Sequence, residues 1–144
     1  MMSVTINTVV KIPWSKISLE QIVRLASRHE KRIKGEVEIN IIGDKEIKKL
    51  NQLYRQQNKI TDVLSFAWQE DDCVDTNTLG QIYISFPQIK RQAEVWGVTV
   101  KEELARILIH GLLHLVGYDH QEKKDEKIMF RLQEDVVEKC KDIL

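Results

Sequence analysis

The chain is poor in the residues that build unusual architectures. Two prolines and six glycines among 144 residues exclude a collagen-like or low-complexity chain, and the 42% hydrophobic, 31% charged composition excludes disorder. Cys73 and Cys140 are the only cysteines; they lie far apart and have no Cys-x-x-Cys partner, so they read as reduced thiols and not as a disulfide framework. No charge of one sign prevails, since 22 Lys plus Arg balance 22 Asp plus Glu. No global field therefore recruits nucleic acid or an anionic membrane, and a nucleic-acid substrate needs a local basic patch. No stretch reaches the ~18 apolar residues of a membrane span. The first residues carry no basic segment followed by an apolar leader, and a cytoplasmic location is the expectation.

What is present is enough apolar residue for a real core. A folded domain of this length buries roughly 70% of the surface of its extended chain, so a metal, if bound, serves function rather than folding. No linker or repeat divides the sequence, and residues 1–144 are read as a single domain. Alternation predicts strands over Val4 to Val10, Glu36 to Ile42, Val63 to Trp68 and Leu79 to Ser85, the last two antiparallel around the acidic, turn-like segment Glu70 to Asn77. Ser18-Leu-Glu-Gln21 reads as a capping box opening a helix that Gly35 ends, and Asp44 as the cap of a helix with Ile47, Leu50, Leu53 and Tyr54 on one face. Pro87 starts a short helix ending near Gly97, and Thr99-Val-Lys-Glu102 opens one that is apolar nearly all round. A last amphipathic helix from about Lys123 to Asp142 is expected to turn Ile128, Met129, Leu132, Val136 and Val137 inward. The order βαβαββααα implies an α/β (α+β) fold, a small mixed sheet of about four strands packed with about five helices, its buried central helix carrying the motif described next.

Three of the four histidines fall in His110-Gly-Leu-Leu-His114-Leu-Val-Gly117-Tyr-Asp-His120. One turn apart on a helix, His110 and His114 converge on one point, and a left-handed turn at Gly117 brings His120 back as a third nitrogen. Glu103, Arg106, His110 and His114 form a polar stripe on an otherwise apolar cylinder. Three neutral imidazoles suit one Zn²⁺ per chain and leave a coordination position open, a hydrolytic arrangement. Two hydrogen-bonded core histidines and a surface His120 are the plainer alternative.

The spacing is that of metzincin zinc proteases, which carry a general-base Glu after the first His; here that position is Gly111. Its glycine fits either close approach of substrate or tight helix-on-strand packing. Peptide hydrolysis by the usual route loses its base.

The histidine motif, with Thr61-Asp-Val-Leu-Ser-Phe66, Asn51-x-x-Tyr-Arg55 and Met129-Phe130, resembles the YbeY family of bacterial metal-dependent endoribonucleases. The resemblance spans most of the chain. It implies a zinc-dependent, single-strand-specific endoribonuclease of ribosomal RNA maturation, notably the small-subunit RNA 3′ end, and of ribosome quality control. It further implies single-stranded ribosomal RNA and the small subunit as partners, with no membrane and no DNA. His110, His114 and His120 match the family's metal ligands and Arg55 its functional arginine, so Arg55 and His114 are the candidate catalytic residues. Two positions depart: Gln81 stands where the family usually has Asp, and Ala67 where it usually has Pro. No catalytic role is placed on Gln81.

A physical argument for Arg55 stands beside the resemblance. Its planar fork matches phosphate, and a fixed cation stabilises charge developing there; a solvated helix-end arginine is the alternative. Lys59 is a candidate substrate contact; Arg55 with Lys45, Lys48, Lys49 and Lys59 can form the local basic patch, ordinary solvent-facing charges being the alternative for each lysine. Asp62 either orients a ligand histidine or pins a turn. His29 is expected to be exposed, and Trp14, Trp68 and Trp96 to pack rather than stack on bases. The open alternatives for function are a zinc metallopeptidase-like hydrolase and a non-enzymatic ribosome assembly factor with a metal-stabilised loop.

Overall fold

The computed structural model describes residues 2–68 and 77–143. Its elements follow as β1 (Met2–Thr8), α1 (Lys16–His29), β2 (Gly35–Ile42), α2 (Asp44–Arg55), β3 (Val63–Ala67), β4 (Thr78–Ser85), α3 (Phe86–Trp96), α4 (Val100–Leu115) and α5 (Lys123–Cys140). This is the βαβαββααα order, and the sheet is mixed. Strands lie in the order β1-β2-β4-β3, with β1–β2 and β2–β4 parallel and β3–β4 antiparallel, Leu64 opposite Tyr83. The segment between β3 and β4, Cys73 included, lies outside the described residues apart from Trp68 and Asn77.

Strand alternation divides the sheet into two unlike faces. Val37, Ile39, Ile41, Ile82 and Ile84 join the main core with α1, α4 and α5. Ile42, Leu64 and Tyr83 face the other way, where Ile47 and Leu50 of α2 cover part of the sheet. Helix α4 packs against the sheet and against α1, α3 and α5, which is why it is apolar nearly all round. Leu104, Leu108, Ile109 and Leu112 are all fully buried, and truncating any of them to Ala costs about 2–5 kcal/mol. Cys140 is free and buried, and burial pushes its thiol up to about 11, which makes it packing material and not a nucleophile.

Several boundaries differ from the sequence expectation, each for a local reason. Ser15 and not Ser18 caps α1, its hydroxyl accepting from the Ser18 amide. The helix stops at His29, well before Gly35, because Glu30 turns extended and folds its carboxylate onto the Arg32 amide and guanidinium. Gly43 occupies the cap of α2 while Asp44 pairs with Ser85 and Arg91, a tertiary bond outcompeting a local one. Leu53, Tyr54, Ile128 and Trp96, expected inward, are all at least half exposed. Among the described residues, Ile47 and Leu50 are the part of α2 that packs on the sheet, and no described element covers Trp96 of α3 or Ile128 of α5.

Candidate metal centre

Helix α4 opens on Thr99, whose side chain accepts from the Glu102 amide, with acidic residues in its first turn. It closes at the histidine motif. The Tyr118 amide donates to the Leu113 carbonyl and the Gly117 amide to that of His114, the paired bonds of a Schellman turn. Gly117 sits at φ 100°, and a Cβ there would meet nothing within 4 Å. The glycine is thus required by conformation and not by space. This turn sends the chain back across the end of α4 and sets His120 over His110 and His114. One ring nitrogen of each lies within 4.8 Å of the others.

The hydrogen bonds assign the tautomers. Gln133, buried on α5, donates its amide N–H to the Glu134 carboxylate, an acceptor only, so its Oε1 faces His110 Nδ1 at 2.7 Å. His110 Nδ1 therefore carries the proton. His114 Nδ1 donates to the Tyr118 carbonyl at 2.9 Å. Both Nε2 atoms are left bare, and they face each other at 3.0 Å. Burial holds both imidazoles below their ordinary pKa, and for His114 the neighbouring His110 and His120 add to it. Two neutral rings with opposed lone pairs repel unless a cation sits between them. Three nitrogen donors, two of them with tautomers fixed by neighbouring groups, and a repulsion that a cation removes suit the cluster to a metal ion.

The model of the YbeY family, described as endoribonuclease YbeY, matches residues 6–141. The chain belongs to the YbeY family. Among its relatives, the endoribonuclease YbeY of Halalkalibacterium halodurans is 38% identical over 130 residues, covering 83% of this chain and 82% of that protein. That of Sulfurihydrogenibium sp. is 43% identical over 105 residues, covering 72% and 69%. The solution structure of TM1509 from Thermotoga maritima superposes with a TM-score of 0.66 at 33% identity, covering 96% of this chain and 89% of that one.

Around the YbeY histidines, the other candidate residues fall in distinct places. A cleft of about 450 Å³ is lined by the three histidines together with Arg55, Asp62 and Ser65. Arg55, in the last turn of α2, donates to the Ser65 carbonyl at 2.9 Å and lies over the Phe66 ring, so it is a fixed cation and not a freely solvated one. Asp62 is within the cleft, yet its carboxylate reaches the Thr61 hydroxyl while Gln133 and the Tyr118 carbonyl take the ligand Nδ1 positions. It acts on His110 only through space, as a nearby negative charge. Lys59 is exposed, with its carbonyl held by Asn51, and Lys45, Lys48 and Lys49 are exposed along α2. None of these lysines is among the described residues lining the cleft.

Gly111 faces the sheet: a Cβ there would lie 3.2 Å from both Ile82 Cγ2 and Ser65 Oγ. Helix-on-strand packing is its explanation, and the metzincin base position is taken up by the contact with Ile82 and Ser65. Gln81 lies on the opposite sheet face, donating to Glu38 at 3.0 Å, where a family Asp would instead meet a like charge.

Two residues that hold the site stand outside the sequence expectation. Gln133 interrupts the apolar stripe Met129, Val136, Val137 and Cys140 of α5, and a lone polar residue on such a stripe was the available signal. Tyr118 donates its phenol to Glu30 at 2.6 Å, with the Arg32 guanidinium over its ring. That clasp ties the His120 loop to the end of α1, 88 residues earlier in sequence, where no local pattern reveals it.

Proposed function

We propose that the chain is a zinc-dependent, single-strand-specific endoribonuclease of ribosomal RNA processing, acting at the small-subunit RNA 3′ end and in ribosome quality control, in the cytoplasm. The observation that carries this is one cleft shared by three converging imidazoles and a fixed arginine, in a chain of the YbeY family. His110, His114 and His120 would hold one Zn²⁺, which supplies a Lewis acid for a phosphoryl oxygen and lowers the pKa of bound water to about 7.

The chain's own residues do the rest. Arg55 spends one N–H on Ser65 and keeps the remainder of its fork for a phosphate, where it stabilises charge that builds up in the transition state. Gln133 and the Tyr118 carbonyl keep the ligand rings in one tautomer and orientation. With Gly111 turned to the sheet, the peptidase alternative gains no base from the structure.

Single-turnover cleavage of a short single-stranded RNA, at saturating enzyme and matched zinc, tests the reading. Arg55→Ala should slow cleavage by roughly 10²-fold, the cost of one lost transition-state donor. Arg55→Lys should recover part of the rate, since an ammonium lacks the fork. A wild-type rate in Arg55→Ala would remove Arg55 from the chemistry, and zinc-loaded wild type inert on RNA would overturn the function.

A further inference from the structure

A second cavity, of about 620 Å³, opens on the far side of His110 between α3, α4 and α5. It shares Asp62 and His110 with the cleft that holds Arg55, so the two lie side by side at the histidine cluster. Its walls carry two aromatics that the fold leaves unused: Trp96 is 72% exposed and Phe130 59% exposed. Its polar side is Glu103, Glu134 and Arg106, locked together by bonds of 2.9 to 3.1 Å. Glu102, Glu103 and Glu134 take all but one N–H of that guanidinium, and with Asp62 in the lining the carboxylates outnumber it.

We propose that this cavity is a nucleobase subsite, in which an unpaired base of the RNA strand lies against Trp96 and Phe130 while the strand's phosphate is held at the Arg55 end. The inference rests on the nuclease reading and assigns residues that the reading does not use. Charge decides which part of a nucleotide enters. The carboxylate excess repels phosphate and tolerates a neutral base, whereas the Arg55 end offers a free cationic fork. The cavity lies within the ~300–1,000 Å³ typical of ligand sites. Trp and Phe faces stack any base, so the subsite holds bases without needing a particular sequence. It also selects for single strands, because a base paired in an A-form duplex cannot turn out into a side pocket.

The test is binding of a single-stranded hexaribonucleotide to the metal-free full chain, followed by tryptophan fluorescence, beside a hexamer of abasic residues with the same backbone. The intact hexamer should quench wild-type fluorescence. Trp96→Ala should abolish that quench and, like Phe130→Ala, weaken binding by roughly 10-fold or more. Trp96→Phe should restore the affinity without the quench. The abasic hexamer should bind wild type weakly, and Trp96→Ala should weaken it no further. Both positions are exposed, so these variants should melt as wild type does. Unchanged affinity in both alanine variants, with RNA cleavage by wild type intact, would overturn the subsite and leave the nuclease reading standing. Wild type that neither binds nor cleaves single-stranded RNA would overturn both.

Discussion

Replacing Gln133 by Leu separates the ligands of the metal centre from the groups that orient them. The side chain is 4% exposed and accepts from His110 Nδ1 at 2.7 Å. Its loss strands a buried N–H, which costs about 1–3 kcal/mol. The new apolar group lies beside Met129, Val136 and Val137, so part of that cost is offset and a net loss of about 1 kcal/mol in the metal-free chain is expected. The larger effect falls on the metal. With the Nδ1 acceptor gone, His110 can exchange tautomers and turn its protonated nitrogen to the cluster, and such losses lower metal affinity about 10- to 100-fold. Urea unfolding with a chelator present measures the first quantity; zinc competition against a chromophoric chelator measures the second. Gln133→Glu is the control: it keeps an acceptor for His110, so affinity should return towards wild type, while the like charge beside Glu134 lowers metal-free stability. Zinc affinity of Gln133→Leu within about twofold of wild type, where a tenfold change is 1.4 kcal/mol, would refute the orienting role.

His110→Ala should abolish stoichiometric zinc yet keep a cooperative thermal transition, lowered chiefly by the lost linkage to bound metal; a chain unfolded at room temperature would mean the metal is structural. Tyr118→Phe removes a bond to a carboxylate worth about 1.5–3 kcal/mol and loosens the His120 loop, so zinc affinity should fall together with thermal stability. Acid should release the same clasp: the Arg32 hydrogen bond, joined by that of Tyr118, holds the Glu30 carboxyl at about 2 against an ordinary 4.5. A carboxyl lowered in the folded state stabilises fully above its unfolded pKa and loses that contribution as pH falls through the folded one. Wild type should therefore lose urea resistance between those two values, and Glu30→Gln should start weaker and show a flatter profile over the same range.

The elements were legible because their patterns are local. Helix α4 announces itself by Thr99, three positions before Glu102, and by an apolar run that only a central position can satisfy. The strands show as alternation, and the antiparallel pairing of β3 and β4 follows from their succession. What the sequence did not reveal are choices made by tertiary partners. Asp44 has a cap's composition and is drawn instead to Arg91 at 2.8 Å, 47 residues away. Leu53 and Tyr54 have the spacing of a buried face, but both are more than half exposed, Tyr54 meeting the Phe66 ring edge-on at the rim of the sheet. Trp96 was expected to pack because large aromatics usually do; its exposure is visible only once α3 is seen to end at a cavity mouth.

The same division runs through the site. The three histidines are readable because one helix turn and one glycine turn bring them together within eleven residues, His110 to His120. The orientation of His110 is not, because it is supplied by Gln133 on α5, 23 residues beyond it; the Tyr118 carbonyl that takes the His114 proton lies within the motif, but its loop is tied down by Glu30 at the end of α1, 88 residues earlier. Spacing fixes where imidazoles can meet, whereas the proton on Nδ1 fixes which nitrogen they present. A chain that kept all three histidines and Gly117 but lost both supports would still bring three rings together. It would no longer hold two bare Nε2 atoms face to face, and that repulsion is what distinguishes a centre prepared for a cation from a cluster of core histidines sharing their protons.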